Sequence, residues 1–560
     1  QFALGQARAQ WVTSGFMVAM TVSMLTTPWL LARFGYRATY YGCMGLLLAG
    51  GALGGLAQNY PLVLSARVLE GLAAGVVQPI PAIIIMRAFA PHEQGRASGM
   101  FGMGVVLAPA LGPSIGGVLV DWFGWRSIFF MVGPFCAAAL WMAHRYVPTS
   151  APGGGAAQRG EALDALGLLL TSAGTLSLLN GLVSVRSGPG WEAAGLLALA
   201  GACFAAFALW QHRRARRGQA PLMNLRLFAW RPFAMGALVA LIYGTALFGS
   251  TYLLPVYMQM GLGLSASSVG GILMPSGLVL AGAIAVVARL ADRTPASGLV
   301  MMGLSLLALS FAAMVTIGLS ASLWLLMTWS IVGRIGLGFI LPSLNLGAMR
   351  GLQKDLIAQG SSVINFVRTL GGAAGVGLCG IALEWRLAAH GVALGSGPPS
   401  AARLAAFDEV FLMLAVLCAG AVCGLLWQWF RRGLWTPAGP WPSYSPFKRW
   451  TMAPLCVGFF VFVLWLDLAM TVPMLATRWV GEEANRNTLV QKKSSSGRRS
   501  CHHQLKLADT RFWWFAFCVD SDAFDALPEG PLPATVYSRR TVLGDDVHTV
   551  RLRVSEHATP

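Results

Sequence analysis

Charge is what this chain lacks. Only 11% of its 560 residues are Asp, Glu, Lys or Arg, and 56% are hydrophobic, whereas a globular surface needs about a quarter of its residues charged. That shortage excludes a soluble enzyme or binding module of this length. Acid is scarcer than base, 22 residues against 40. No Cys-x-x-Cys pair occurs, and the nine cysteines are scattered, mostly inside apolar blocks, so neither a disulfide framework nor a metal site is expected. No GxxxxGK[ST] loop is present, which leaves no visible means of using ATP. Nucleophile elbows and His/Cys/Asp clusters are also missing, so we expect neither an enzyme nor a bound cofactor. His502 and His503, adjacent in a polar tail, read as incidental rather than as metal ligands.

What is present is apolar length. Runs of roughly 20 residues with few charges recur, each long enough for a hydrocarbon core of about 30 Å. Spans are expected at 11–31, 38–57, 61–85, 97–119, 127–147, 164–185, 191–211, 233–257, 267–288, 297–318, 322–346, 358–382 and 408–430. The 67 glycines suit helices that approach closely in lipid. Basic residues fall on alternate loops: Arg33, Arg37, Arg87, Arg96, Arg145, the 213–217 arginines, Arg289, Arg350 and Lys354 on one side, only Arg126, Arg186, Arg386 and Arg403 on the other. The net charge of +18 is therefore a membrane-orientation signal rather than a nucleic-acid footprint. It puts the segment before Trp11 outside, and a carrier with both ends inside would then have one more span ahead of Gln1. Four regions follow: a first bundle (1–147), a flexible Pro/Gly-rich linker with two extra spans (148–217), a second bundle (218–432) and an atypical tail (433–560). The tail has one candidate span at 452–476, and QKKSSSGRRS (491–500) reads as disordered. Its change of character suggests a fusion, frameshift or read-through product, with a genuine extra domain as the alternative.

One stretch is harder to account for. LAPALGPSIGGVLVDWFGW (107–125) crowds Gly112, Pro113, Gly116 and Gly117 into a span where proline kinks a helix and glycine gives a smooth face. GPSIGG followed by DWFGWRSIFF closely resembles the antiporter motif in the fifth helix of the drug:proton exporters of the major facilitator superfamily. LSARVLEGLAAGVVQP (64–79) resembles that family's fourth-helix motif, with Arg67, Gly71 and Gly75 in matching places and Glu70 where glutamine is usual. TPWLLARFGYR (27–37) is similar to the loop motif between the second and third helices. Arg33, Gly35 and Arg37 fit it, but Ala32 stands where aspartate is usual. ARLADRT (288–294) looks like a second copy, keeping Asp292 and Arg293. With two extra spans between the halves, the chain resembles the fourteen-helix branch, with the first helix and its aspartate motif absent.

The resemblance implies an all-α polytopic fold of two six-helix bundles with two inserted helices, lying in the inner membrane. It implies proton-coupled export of hydrophobic or amphipathic compounds, in some relatives with a periplasmic adaptor and an outer-membrane channel. Arg67 is the proton-coupling candidate by resemblance, with Glu70 three residues on and on the same helical face. Amides in lipid need partners or a wet cavity, which makes Gln78 and Asn345 pocket candidates. Arg334, Asn365 and Arg368 join them by similarity to second-half helices, although arginines that merely snorkel to the boundary remain an alternative. Tyr243, Tyr252 and Tyr257 are accounted for by an interfacial aromatic belt. Import of a small solute by symport, and a truncated product that transports nothing, are the other readings.

Overall fold

Backbone in lipid must satisfy its hydrogen bonds within its own segment, which leaves helices for a chain of this kind. The computed structural model describes residues 6–90, 92–147, 162–187, 190–291, 294–318, 323–392 and 400–431, and in the tail 482–494, 503–507, 517–518, 527, 530–541 and 544–552. The chain divides into two compact units, Gln1–Leu464 and Trp465–Pro560.

All thirteen expected spans fall on helix. The first is α1 (Gln6–Ser23), continued through a 3-10 turn into α2 (Thr27–Phe34). Gly35, at φ +80°, ends α2 and starts α3 (Tyr36–Gly55), a conformation few residues other than glycine adopt. Asn59 caps α4 (Tyr60–Val77) by accepting from the Leu62 amide at 3.1 Å. Pro79 and Pro81 lack the amides that would carry this helix onward, so it breaks at Gln78–Pro79 before α5 (Ile80–Ala88). Then come α6 (Gln94–Phe123), α7 (Ser127–Phe130) and α8 (Val132–Tyr146).

The linker pair is α9 (Ala165–Ser187) and α10 (Gly190–Arg216), packed on each other. Its lock is Asp164, which is buried and accepts from the Gly167 amide, Trp210 Nε1 and Gln211 Nε2 at 3.0, 2.9 and 2.7 Å. The later helices are α11 (Arg226–Ala229), α12 (Arg231–Val256) running into a π-turn at Tyr257–Gly261, α13 (Ala266–Ala291), α14 (Ala296–Met314), α15 (Leu323–Met349), α16 (Ile357–Ala389) and α17 (Ala401–Arg431). Among the described residues, eleven helical stretches are long and apolar enough to cross a membrane.

In the first half α4 packs on α1 and α3, and α3 packs on α8; in the second, α12 packs on α16, and α14 on α15 and α17. The halves meet where α6 lies along α13 and where α1, α2 and α5 touch α16. A Cβ on Gly99 of α6 would stand 1.9 Å from that of Ala288 on α13, so this contact depends on glycine.

Two expectations need correction. α16 runs to Ala389 and α17 begins at Ala401, each about two turns beyond the expected spans. Arg386 and Arg403, read from the sequence as outer-loop residues, therefore lie within helices, Arg403 buried and Arg386 half-buried. Arg386 pairs with Glu409, whose other oxygen lies 3.1 Å from His390, and Arg403 donates to the Met260 carbonyl at 3.1 Å. Tyr243 and Tyr257 are not belt residues either, because both are buried. Tyr257 packs edge-on against Phe407 and Phe411.

The tail holds a five-stranded antiparallel sheet in the order β3-β2-β1-β4-β5, with β1 Glu482–Ser494, β2 His503–Leu507, β3 Phe517–Cys518, β4 Leu532–Thr541 and β5 Gly544–Leu552. Gln491–Ser494, expected to be disordered, are thus the end of the central strand. The charges hid an alternation in which Thr488 and Val490 turn inward, opposite Ala534 and Leu532, and are buried. The candidate span at 452–476 lies outside the described residues.

Candidate transport site

Two polar constellations hold the expected coupling and pocket residues. The first is the pair predicted on α4. Arg67 Nη1 donates to Glu70 Oε2 at 2.9 Å, with the Glu70 side chain only 5% exposed. Close helix approach makes the site: a Cβ on Gly50 of α3 would lie 2.9 Å from the Glu70 Cγ, and one on Gly71 would lie 2.5 Å from the Phe16 carbonyl of α1. The guanidinium carbon of Arg67 sits over the rings of Phe16 and Phe129, 5.0 and 5.9 Å from their centroids. Phe129 is itself set in a slot, since a Cβ on Gly54 would come within 2.2 Å of its ring. Neither phenylalanine was legible as a partner of Arg67. The Gly-Gly pairs at 50–51 and 54–55 were the available signal for the slot.

The second lies between the halves. Gln78, Asn345, Asn365 and Arg368, four of the five pocket candidates, line one cavity of about 20 Å³ together with Ser98 and Phe101. They come from three elements, with Asn365 and Arg368 both on α16. Gln78 stands at the proline break of α4 and α5, and its Oε1 is buried without a hydrogen-bond partner among the described residues. Across the gap, Ser361 on α16 donates to the Pro79 carbonyl at 3.1 Å, an oxygen that also accepts from the Ile83 amide. Asn365, one turn on, donates to the Ser361 carbonyl at 2.9 Å. Arg368 is 7% exposed, so it is no snorkelling anchor. Arg334, on α15, does not reach the cavity, but it and Arg368 both lie within electrostatic reach of the buried Tyr243 hydroxyl on α12. A cavity of this size holds about one water molecule, which describes a centre closed around its polar groups.

The remaining candidates stand apart. The backbone of α6 is helical through Gly112, Pro113, Gly116 and Gly117, whose side chains are outside the described residues. Arg33 is in the last turn of α2, beside Trp29, and Arg37 donates to the Val147 carbonyl at 2.8 Å. Asp292 and Arg293 lie outside the described residues. Sequence reasoning missed Arg87, whose Nη2 donates to the Lys354 carbonyl at 2.9 Å and so ties the two halves on the arginine-rich side.

Comparison with known proteins bears on what such a bundle does. The chain is 27% identical over 437 residues to the uncharacterized MFS-type transporter YcnB of Bacillus subtilis, covering 78% of this chain and 89% of that one. It is 29% identical to the multidrug resistance protein B homolog of Mycobacterium tuberculosis, with 69% and 71% covered. It is 25% identical to the lincomycin resistance protein LmrB of Listeria innocua, with 76% and 89% covered. Among solved structures, the human organic anion transporter MFSD10 shares the fold at TM-score 0.53 and 17% identity, over 74% of this chain and 86% of that one. The proton:xylose symporter XylE does so at TM-score 0.52 and 12% identity, over 76% and 87%. Residues 1–376 match the family model described as Major Facilitator Superfamily. The chain is a multi-pass membrane transporter rather than an enzyme, and it belongs to the Major Facilitator Superfamily.

Proposed function

We propose that this transporter is a proton-coupled exporter of hydrophobic or amphipathic compounds, working across the inner membrane by alternating access. The observation that carries the reading is the Arg67–Glu70 pair, a carboxylate buried in an apolar span with one cation 2.9 Å away. Such a pair has two discrete states. With Glu70 ionised it is closed; with Glu70 protonated the attraction is lost and Arg67 is released. A proton entering from outside can thus be held and then given up inside as the bundles change their exposure. The substrate binds between the halves at the Gln78–Asn365 cavity, and the bundles 1–147 and 218–432 rock about it, with 148–217 as the inserted pair. Resistance and export relatives at 25–29% identity support the outward direction.

The test is proton release from acidified everted vesicles as dyes and aromatic acids are added, with Arg67→Ala as the control. Substrate-triggered proton movement that disappears in the variant is the expected result. Uptake of substrate together with protons would identify a symporter instead.

A further inference from the structure

The second half carries two arginines within its helical spans. Arg368 is 93% buried and lines the central cavity; Arg334, half-buried on α15, lies outside that lining but within electrostatic reach of the same Tyr243 hydroxyl. Among the described residues neither guanidinium has a carboxylate partner. The helices that carry or adjoin them hold few acids. α12, α13 and α15 contain no Asp or Glu at all, and α6 has none from Gln94 to Val120. α16 has only Glu384, sixteen residues past Arg368, about 24 Å along the helix axis at 1.5 Å per residue. In the first half, Glu70 is already paired with Arg67.

A buried, unpaired guanidinium costs several kcal/mol, and a protein that only needed bulk there could use a neutral residue. The cavity also presents Asn365, and Gln78 with an unpartnered buried oxygen, beside Arg368. That set matches a planar oxyanion with a neighbouring donor. The guanidinium offers a two-pronged contact, and an amide can accept from or donate to the rest of the polar head. Apart from Ser98 and Asn345 the rest of the wall, with Phe101, Leu341 and Pro342, is apolar. A cationic compound would meet the like charge of Arg368 with no carboxylate in the cavity lining to offset it.

We infer that the central site recognises amphipathic anions, an aromatic or aliphatic body bearing a carboxylate or a group of similar shape, through Arg368 with Arg334 behind it. This rests on the export reading for the site's location and deepens it by assigning the charge of the cargo.

The test uses the full chain, purified and reconstituted in liposomes, and three probes of one shape: naphthylacetate, naphthylmethylammonium and naphthylmethanol. Binding is measured by competition and transport by counterflow. The expected result is that the carboxylate binds at least about tenfold more tightly than the ammonium. Arg368→Gln should weaken the carboxylate by about tenfold to a hundredfold, the range for a charge-assisted hydrogen bond, while leaving the neutral alcohol within about twofold. Arg368→Lys, which keeps the charge and loses the fork, should fall between. Unchanged binding of the alcohol shows that each variant is folded. Arg334→Gln should weaken the carboxylate less than Arg368→Gln. Equal binding of ammonium and carboxylate, or an Arg368→Gln variant with undiminished anion affinity, overturns the inference. If the carboxylate binds but no proton-coupled export occurs, the anion site stands and the export reading falls. If protons drive out the ammonium but not the carboxylate, export stands and the anion site falls.

Discussion

At the residue scale, glycine and its neighbours decide how close the helices come. Gly244 on α12 faces the backbone of α16, where an added Cβ would stand 2.0 Å from the Arg368 carbonyl oxygen. Backbone cannot step aside, so Gly244→Ala should cost about 1–3 kcal/mol of stability and move Arg368 as well. Gly270 on α13 meets nothing within 4 Å. Gly270→Ala should therefore be neutral or stabilise by about 0.5–1 kcal/mol through helix propensity alone. Thermal unfolding of the solubilised protein compares the two. Equal losses would show that the α12–α16 approach is looser than these contacts require. Arg67 illustrates the limit of reading a residue alone: its ion-pair partner at three residues' distance was legible, but Phe16 and Phe129 come from other helices.

At the element scale, α9 and α10 are joined through Asp164, which caps the first helix and takes bonds from Trp210 and Gln211 of the second. Arg214 adds an ion-pair contact at 3.8 Å and donates to the Ala220 carbonyl. Asp164→Ala leaves several buried donors unsatisfied and should destabilise by about 2–4 kcal/mol. Trypsin cleavage within the 213–217 arginines should then speed up correspondingly, and unaltered cleavage would show that the pair is held by apolar packing instead. Both helices were legible from their hydropathy. The lock was not, because Asp164 reads in sequence as one acid near a flexible loop and gains its partners 46 and 47 residues later.

At the scale of the whole molecule, the halves are tied on the arginine-rich side by Ser361 to the Pro79 carbonyl and by Arg87 to the Lys354 carbonyl. Removing a tie made in the closed arrangement shifts the population toward the open one by the energy of that tie. Ser361→Ala and Arg87→Ala together should favour opening by about 1–3 kcal/mol, the sum of two ordinary hydrogen bonds. A cysteine placed at Gln78 in this double variant should then react with a membrane-impermeant maleimide, applied from the arginine-rich side, about fivefold to a hundredfold faster than in the parent. No acceleration would mean that these bonds form in both arrangements.

Sequence by itself determined the helical character of the thirteen spans, their alternating loop charge, the family and the polar residues placed within those spans. These follow from apolar run length and from the cost of polar groups in hydrocarbon, both local properties of the chain. Local reading failed where burial depends on partners far away. Tyr243 and Tyr257, expected at the interface, are buried, Arg386 and Arg403, expected in outer loops, lie within helices and bind Glu409 and the Met260 carbonyl, and Gln491–Ser494 joined a strand. Only the tertiary structure gathered Gln78, Asn345, Asn365 and Arg368 around one cavity and left Arg334 outside it. Which helix faces which is set by small-residue contacts between segments up to hundreds of residues apart, and no span in isolation carries that information.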